Sequence, residues 1–129
     1  MTYLTIFPMT RWLKELAEDT EISYCPKTDI FETKDEFVLK LELPGVKKGD
    51  VKITFENNTL TIAGEKKKES NGERLKYQET CFGKFERIFT FPVEVDANKG
   101  KADFKDGILT IVLPKKELTK TKEIEIEMN

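Results

Sequence analysis

In 129 residues the chain carries 24 acidic and 22 basic side chains and no histidine, for a formal net charge of -2. That length supports one domain with its own core. The near balance of charge withholds the basic excess on which nucleic-acid binding depends, and without histidine the commonest general base and metal ligand are missing.

No stretch approaches the roughly 18 apolar residues of a membrane-spanning helix, and Met1 to Pro8 lacks the basic and apolar regions of a secretory signal. Cys25 and Cys81 form neither a C-x-x-C nor a dense framework, so reduced thiols in a cytoplasmic protein are expected. Three zones follow: an arm over 1–26, a strand-rich body over 27–114, and a polar extension over 115–129. In the arm, Tyr3, Leu4, Ile6, Phe7 and Met9 form an apolar cluster. Thr10 then suits an N-cap, and Trp12, Leu13, Leu16 and Ala17 recur at helical spacing. The spacing predicts one short amphipathic helix, closed off by Pro26.

The body alternates. A first strand is expected near Asp29 to Glu32. Phe37, Leu39, Leu41 and Leu43 share one face of the next, which Pro44-Gly45 ends. Val51, Ile53 and Phe55 repeat the pattern and turn through Asn57-Asn58 into Leu60 and Ile62, a hairpin. Phe85, Phe89 and Phe91 alternate before Pro92, with Arg87 in register on their face. Ala102 and Phe104 lead through the Asp106-Gly107 turn into Ile108 to Leu113, apolar on both sides and therefore expected to be covered on both. At least seven short strands at this spacing predict an all-β sandwich.

Two segments find no place within it. Residues 66–81 make a long polar excursion in which Leu75 and Tyr77 alternate around Lys76. The chain end, Ile124-Glu125-Ile126, is strand-like but lies beyond a linker of Lys, Thr and Glu. So short a strand is unstable alone in water and must add to an exposed sheet edge.

In order and spacing, four motifs resemble the small heat-shock protein (α-crystallin/Hsp20) family over residues 27–127. Ala102-Asp103-Phe104-Lys105-Asp106-Gly107-Ile108-Leu109 matches its Ala-x-x-x-n-Gly-Val-Leu. Gly83-Lys84-Phe85-Glu86-Arg87-Ile88-Phe89-Thr90-Phe91-Pro92 matches Gly-x-Phe-x-Arg-x-Phe-x-Leu-Pro. Leu43-Pro44-Gly45-Val46 matches the early Leu-Pro-Gly-Val, and Ile124-Glu125-Ile126 the terminal Ile-x-Ile. The resemblance implies an immunoglobulin-like β-sandwich, the α-crystallin domain, with a short helical N-terminal arm and an extended C-terminal tail. It implies a strand exchanged between two subunits, with Leu75, Tyr77 and Glu79 pairing near Asp29 and Phe31 of the partner and Arg87 at the dimer interface. It also implies a groove for Ile124 and Ile126 of another dimer, around Val51, Ile53, Phe55, Ala102, Phe104, Leu109 and Ile111. The pair Glu79-Thr80 departs from the Glu-Arg of many relatives, and the arm is short.

Read this way, the chain is an ATP-independent holdase: a homo-oligomer of dimers that binds non-native client proteins through Phe7, Met9, Trp12, Leu13 and Leu16. It leaves refolding to ATP-dependent chaperones downstream. The alternative is a CS/p23-like adaptor module serving a larger chaperone. No catalytic residue, metal or cofactor is expected, and neither nucleic acid nor membrane is a partner. Gly83-Lys84 lacks the glycine and Ser/Thr of a phosphate loop, Asp103 and Asp106 lack the ligand steps of a calcium loop, and Lys66-Lys67-Lys68 reads as a solvated loop.

Overall fold

The computed structural model describes the backbone of Thr5–Ile6 together with residues 24–69 and 71–117. The expected arm helix, the side chains expected to contact clients and the Ile-x-Ile tail lie outside the described residues. The strands are β1 (Thr5–Ile6), β2 (Thr28–Glu32), β3 (Glu36–Glu42), β4 (Val51–Glu56), β5 (Thr59–Lys66), β6 (Gly83–Thr90), β7 (Lys101–Lys105) and β8 (Ile108–Pro114). They form two four-stranded antiparallel sheets, in the orders β1-β6-β5-β4 and β2-β3-β8-β7. This is the all-β sandwich that the alternation predicts.

Each sheet is oriented by its apolar face. Phe37, Leu39 and Leu41 of β3 register against Leu113, Ile111 and Leu109 of β8. Leu60, Ile62 and Gly64 of β5 register against Phe89, Arg87 and Phe85 of β6. Residues opposite one another share a face, so both rows point into the interlayer space, where nearly all of these apolar side chains are buried. Burying each Phe or Leu contributes roughly 1.5–3 kcal/mol before entropy is counted. Ile108 and Val112, on the outer face of β8, are only half-buried.

The turns are set by residues that tolerate a left-handed backbone. Asn57 and Asn58 have φ 52° and 59°, and Asp106 and Gly107 have φ 54° and 75°. Two successive positive values give the tight hairpin turn whose twist matches the flanking strands. The β7–β8 turn also touches the chain beyond β3. The Leu43 N–H donates to the Gly107 carbonyl at 2.7 Å, and a Cβ on Gly107 would lie 3.2 Å from Pro44 Cα.

β1 was not expected. Thr5 pairs with Thr90 and Ile6 with Phe89, which places the start of the arm on the outer edge of β6. Farther down the same edge, the Tyr24 N–H donates to the Lys84 carbonyl at 3.2 Å. Both ends of the arm are therefore fastened to one strand.

Candidate strand-docking edges

Stacking these two sheets leaves two open mouths, one between β4 and β7 and one between β6 and β2. The chain closes the second itself. Tyr24 packs edge-on against Phe85 with centroids 5.8 Å apart, and its hydroxyl donates to the Glu42 carbonyl at 3.2 Å. Pro26 is fully buried. Desolvation raises the Tyr24 pKa above the ordinary tyrosine value, helped by Cys81, Glu42 and Cys25 nearby.

Arg87 sits behind this plug. Its register partner is Ile62, so it leaves the strand toward the core and then turns out. The guanidinium lies over the Phe89 ring at 5.3 Å, and Nη1 donates to Cys25 Sγ and to the Pro26 carbonyl, both at 3.3 Å. Nε is buried without a hydrogen-bond partner. A cation with this little anionic company is costly, and among the described residues no carboxylate reaches it.

The β4–β7 mouth stays open. Ile53 registers with Ile62 and Phe55 with Leu60, both buried, so β4 turns these side chains inward. Ile53 is nevertheless 36% exposed and faces the gap toward Ala102, Ile111 and Leu113 of the opposite sheet. Ala102 of β7 registers with Ile111 and is too small to span the gap. The result is an apolar groove of about 240 Å³, lined by Ile53, Thr54, Phe55, Leu60, Ala97, Gly100, Lys101, Ala102, Ile111 and Leu113.

Of the seven residues expected around such a groove, the structure brings Ile53, Phe55, Ala102 and Ile111 together. Leu109 is buried in the core, and Phe104 packs against that core half-buried. Val51 lines a separate hollow with Asp50 and Lys67, whose side chains pair at 3.2 Å. Sequence reasoning missed Thr54, Leu60, Ala97, Gly100, Lys101 and Leu113. The spacing of small residues at 97, 100 and 102 is the signal that would have found Ala97 and Gly100, since small side chains leave a mouth open.

β2 is the outer strand of its sheet on the side away from β7. It pairs with β3 on one side only. Phe31 projects outward opposite Val38 and is 51% exposed, with Lys40 Nζ over its ring at 5.8 Å. Asp29 registers with Lys40. Residues 75–79 join no ladder of their own subunit. Leu75 is 55% and Tyr77 79% exposed. Lys68 Nζ donates to Gln78 Oε1 at 2.9 Å, joining the two limbs of the loop. The Tyr77 hydroxyl donates to Glu79 Oε1 at 2.7 Å, which raises the Tyr77 pKa by favouring its protonated form.

Comparison with known proteins bears on these edges. Residues 29–129 match the model of the Hsp20/alpha crystallin family. The chain is 37% identical over 113 residues to small heat shock protein C2 of Rickettsia felis, covering 86% of this chain and 73% of that protein. It is 41% identical over 102 residues to heat shock protein 16 of Schizosaccharomyces pombe, covering 76% and 71%. Among solved structures, heat shock protein 16.0 of S. pombe superposes with TM-score 0.70 at 38% identity, over 82% of this chain and 99% of that one. A small heat-shock protein from Xylella fastidiosa, described as having a distinct high order structure, gives 0.68 at 32% identity over 81% and 98%. A shared sandwich, the same motif order and identity at this level over most of the chain lead to one conclusion: this chain belongs to the Hsp20/alpha crystallin family, the small heat-shock chaperones.

Proposed function

We propose that the chain is an ATP-independent holdase that works as a cytoplasmic homo-oligomer of dimers. The observation that carries this reading is the uncovered β4–β7 mouth, where Ile53 faces inward yet stays exposed. Its missing plug is an apolar strand of period two, and residues 124–126 of this chain have that pattern. Filling the mouth with two Ile side chains contributes roughly 3–6 kcal/mol before association costs. One tail then binds weakly, and many tails per assembly hold it together while individual subunits still exchange.

The free β2 edge and the unladdered Leu75–Glu79 segment support strand exchange as the dimer contact, with Arg87 meeting an acidic group of the partner there. Arm residues Phe7, Met9, Trp12, Leu13 and Leu16 are the proposed client contacts, Met9 adding an adaptable surface. Clients held this way pass to ATP-dependent chaperones for refolding. Native mass and suppression of client turbidity without nucleotide test the reading. Large particles that keep the client in solution are expected, and a monomer that leaves turbidity unchanged would overturn it.

A further inference from the structure

The groove has one charged residue in its lining, and the segment proposed to fill it is acidic on its other face. Lys101 registers with Val112 on the outer face of β7, one residue from Ala102 on the inner face. Lys101 is exposed, and among the described residues no carboxylate lies within ion-pair distance of it. In the tail, Glu123, Glu125 and Glu127 alternate with Ile124 and Ile126. An extended strand that puts both isoleucines into the mouth must turn these glutamates to the opposite side. If it lies along the free edge of β7, they enter the row of outward side chains that holds Lys101, Asp103 and Lys105.

We infer that Lys101 is a specificity-determining residue of the groove, pairing with Glu125 so that it accepts an acidic-faced Ile-x-Ile strand over a neutral or basic one. This rests on the reading of the mouth as the tail site. The apolar contact supplies affinity and is indifferent to what lies between the isoleucines. The charge row supplies the choice, because like charges side by side on neighbouring strands repel. Asp103, two residues along, falls beside a flanking glutamate of the same strand and offsets part of this gain, which keeps the preference modest. Lys115 is anchored by its N–H to the Asp35 carbonyl at 2.8 Å, and Lys116 by its N–H to the Glu94 carbonyl at 3.0 Å. The eight residues from Glu117 to Ile124 extend at most about 26–29 Å.

The test titrates a synthetic peptide of residues 118–129 into the full chain carrying Ile124→Ala and Ile126→Ala, so that the chain's own tails do not compete. Lys101→Glu in that background should weaken binding about two- to five-fold at low salt, with the difference shrinking as salt rises. A peptide with Glu125→Lys should bind the Lys101→Glu protein better than the parent protein. Lys105→Glu, which changes charge equally on the same strand outside the groove lining, should weaken binding less. Equal binding by the Lys101→Glu protein, equal losses from Lys105→Glu, or no rescue by the swapped peptide overturns the inference while leaving the tail site intact. A peptide lacking both isoleucines that binds as well as the parent peptide overturns the tail site and the inference with it.

Discussion

Asn58 holds Val95 in place from across the sheet: its Oδ1 accepts the Val95 N–H at 3.1 Å. The same amide donates through Nδ2 to the carbonyls of Phe91 at 3.1 Å and Val93 at 2.8 Å. A residue chosen for a left-handed turn thus also braces the connection from β6 to β7. Replacing it with alanine removes three hydrogen bonds and leaves at φ 59° a residue less tolerant of the left-handed backbone than asparagine. At about 1 kcal/mol per bond and a smaller loss for the backbone, Asn58→Ala should cost roughly 3–4 kcal/mol. Asn58→Gly, which keeps the turn, should cost less. Denaturant unfolding at fixed protein concentration checks both, and a loss below about 1 kcal/mol in both variants would show that the side chain does not brace the connection.

Gly64 has no room for a side chain. A Cβ there would meet the Asp50 carbonyl oxygen at 2.3 Å and Phe85 Cζ at 2.7 Å, and one of these neighbours is backbone. Gly64→Ala should therefore destabilise by at least 1–3 kcal/mol, a larger effect than Gly49→Ala, which meets nothing within 4 Å. Unfolding midpoints that rank the two variants in the reverse order would refute the close approach.

Blocking the mouth should mimic losing the tail. Ala102→Phe puts a ring where the gap now lies, on a residue that is exposed in the subunit, so the fold should survive with its stability little changed. Native mass should fall to that of a dimer, as expected for Ile124→Ala with Ile126→Ala. Parent mass in the Ala102→Phe protein, with the double tail variant dimeric, would move the docking site elsewhere.

A substitution at Arg87 tests its proposed place at the dimer interface apart from folding. Its guanidinium rests on a thiol and a carbonyl, so Arg87→Leu gives up weak contacts and removes a costly cation. Subunit stability should change by only about 1 kcal/mol, while the dimer should dissociate at concentrations where the parent remains paired. Sedimentation beside circular dichroism distinguishes the two effects. An intact dimer of the leucine variant would remove Arg87 from the proposed interface.

Alkali should probe the closed mouth. The Tyr24 pKa lies above its ordinary value of 10.0, chiefly through desolvation. The folded protein therefore holds the phenolic proton more tightly than the unfolded chain. The stability tied to it is complete below pH 10.0 and is lost as pH rises through the higher folded value. Tyr24→Phe should show a shallower fall in unfolding midpoint above pH 10.0 than the parent. Identical slopes would place the alkaline loss on other groups.

How much of this was legible beforehand follows the range of each interaction. The strands around Phe37–Leu43 and Ile108–Leu113 declare themselves because period-two burial is a local pattern, and Asn57-Asn58 and Asp106-Gly107 declare their turns by backbone tolerance. Arg87 was readable as core-facing from its register with Phe85 and Phe89. Its thiol and carbonyl partners were not, since Cys25 lies 62 residues away. β1 escaped because two residues carry no period. The groove was half legible: Ile53 and Ala102 lie in strands that name themselves, whereas Ala97 and Gly100 come from a connection whose path depends on Asn58.

The joint between Gly107 and Pro44 makes one object of two sequence signatures. The tight dipeptide before β8 rests on the Leu-Pro-Gly segment after β3, and Leu43 and Gly107 share a hydrogen bond. A bulkier residue on either side cannot be absorbed by its own neighbours and needs an answering change about 60 positions away. Among related chains, these two stretches should therefore drift as a couple, and one grafted without the other should sit badly in its host.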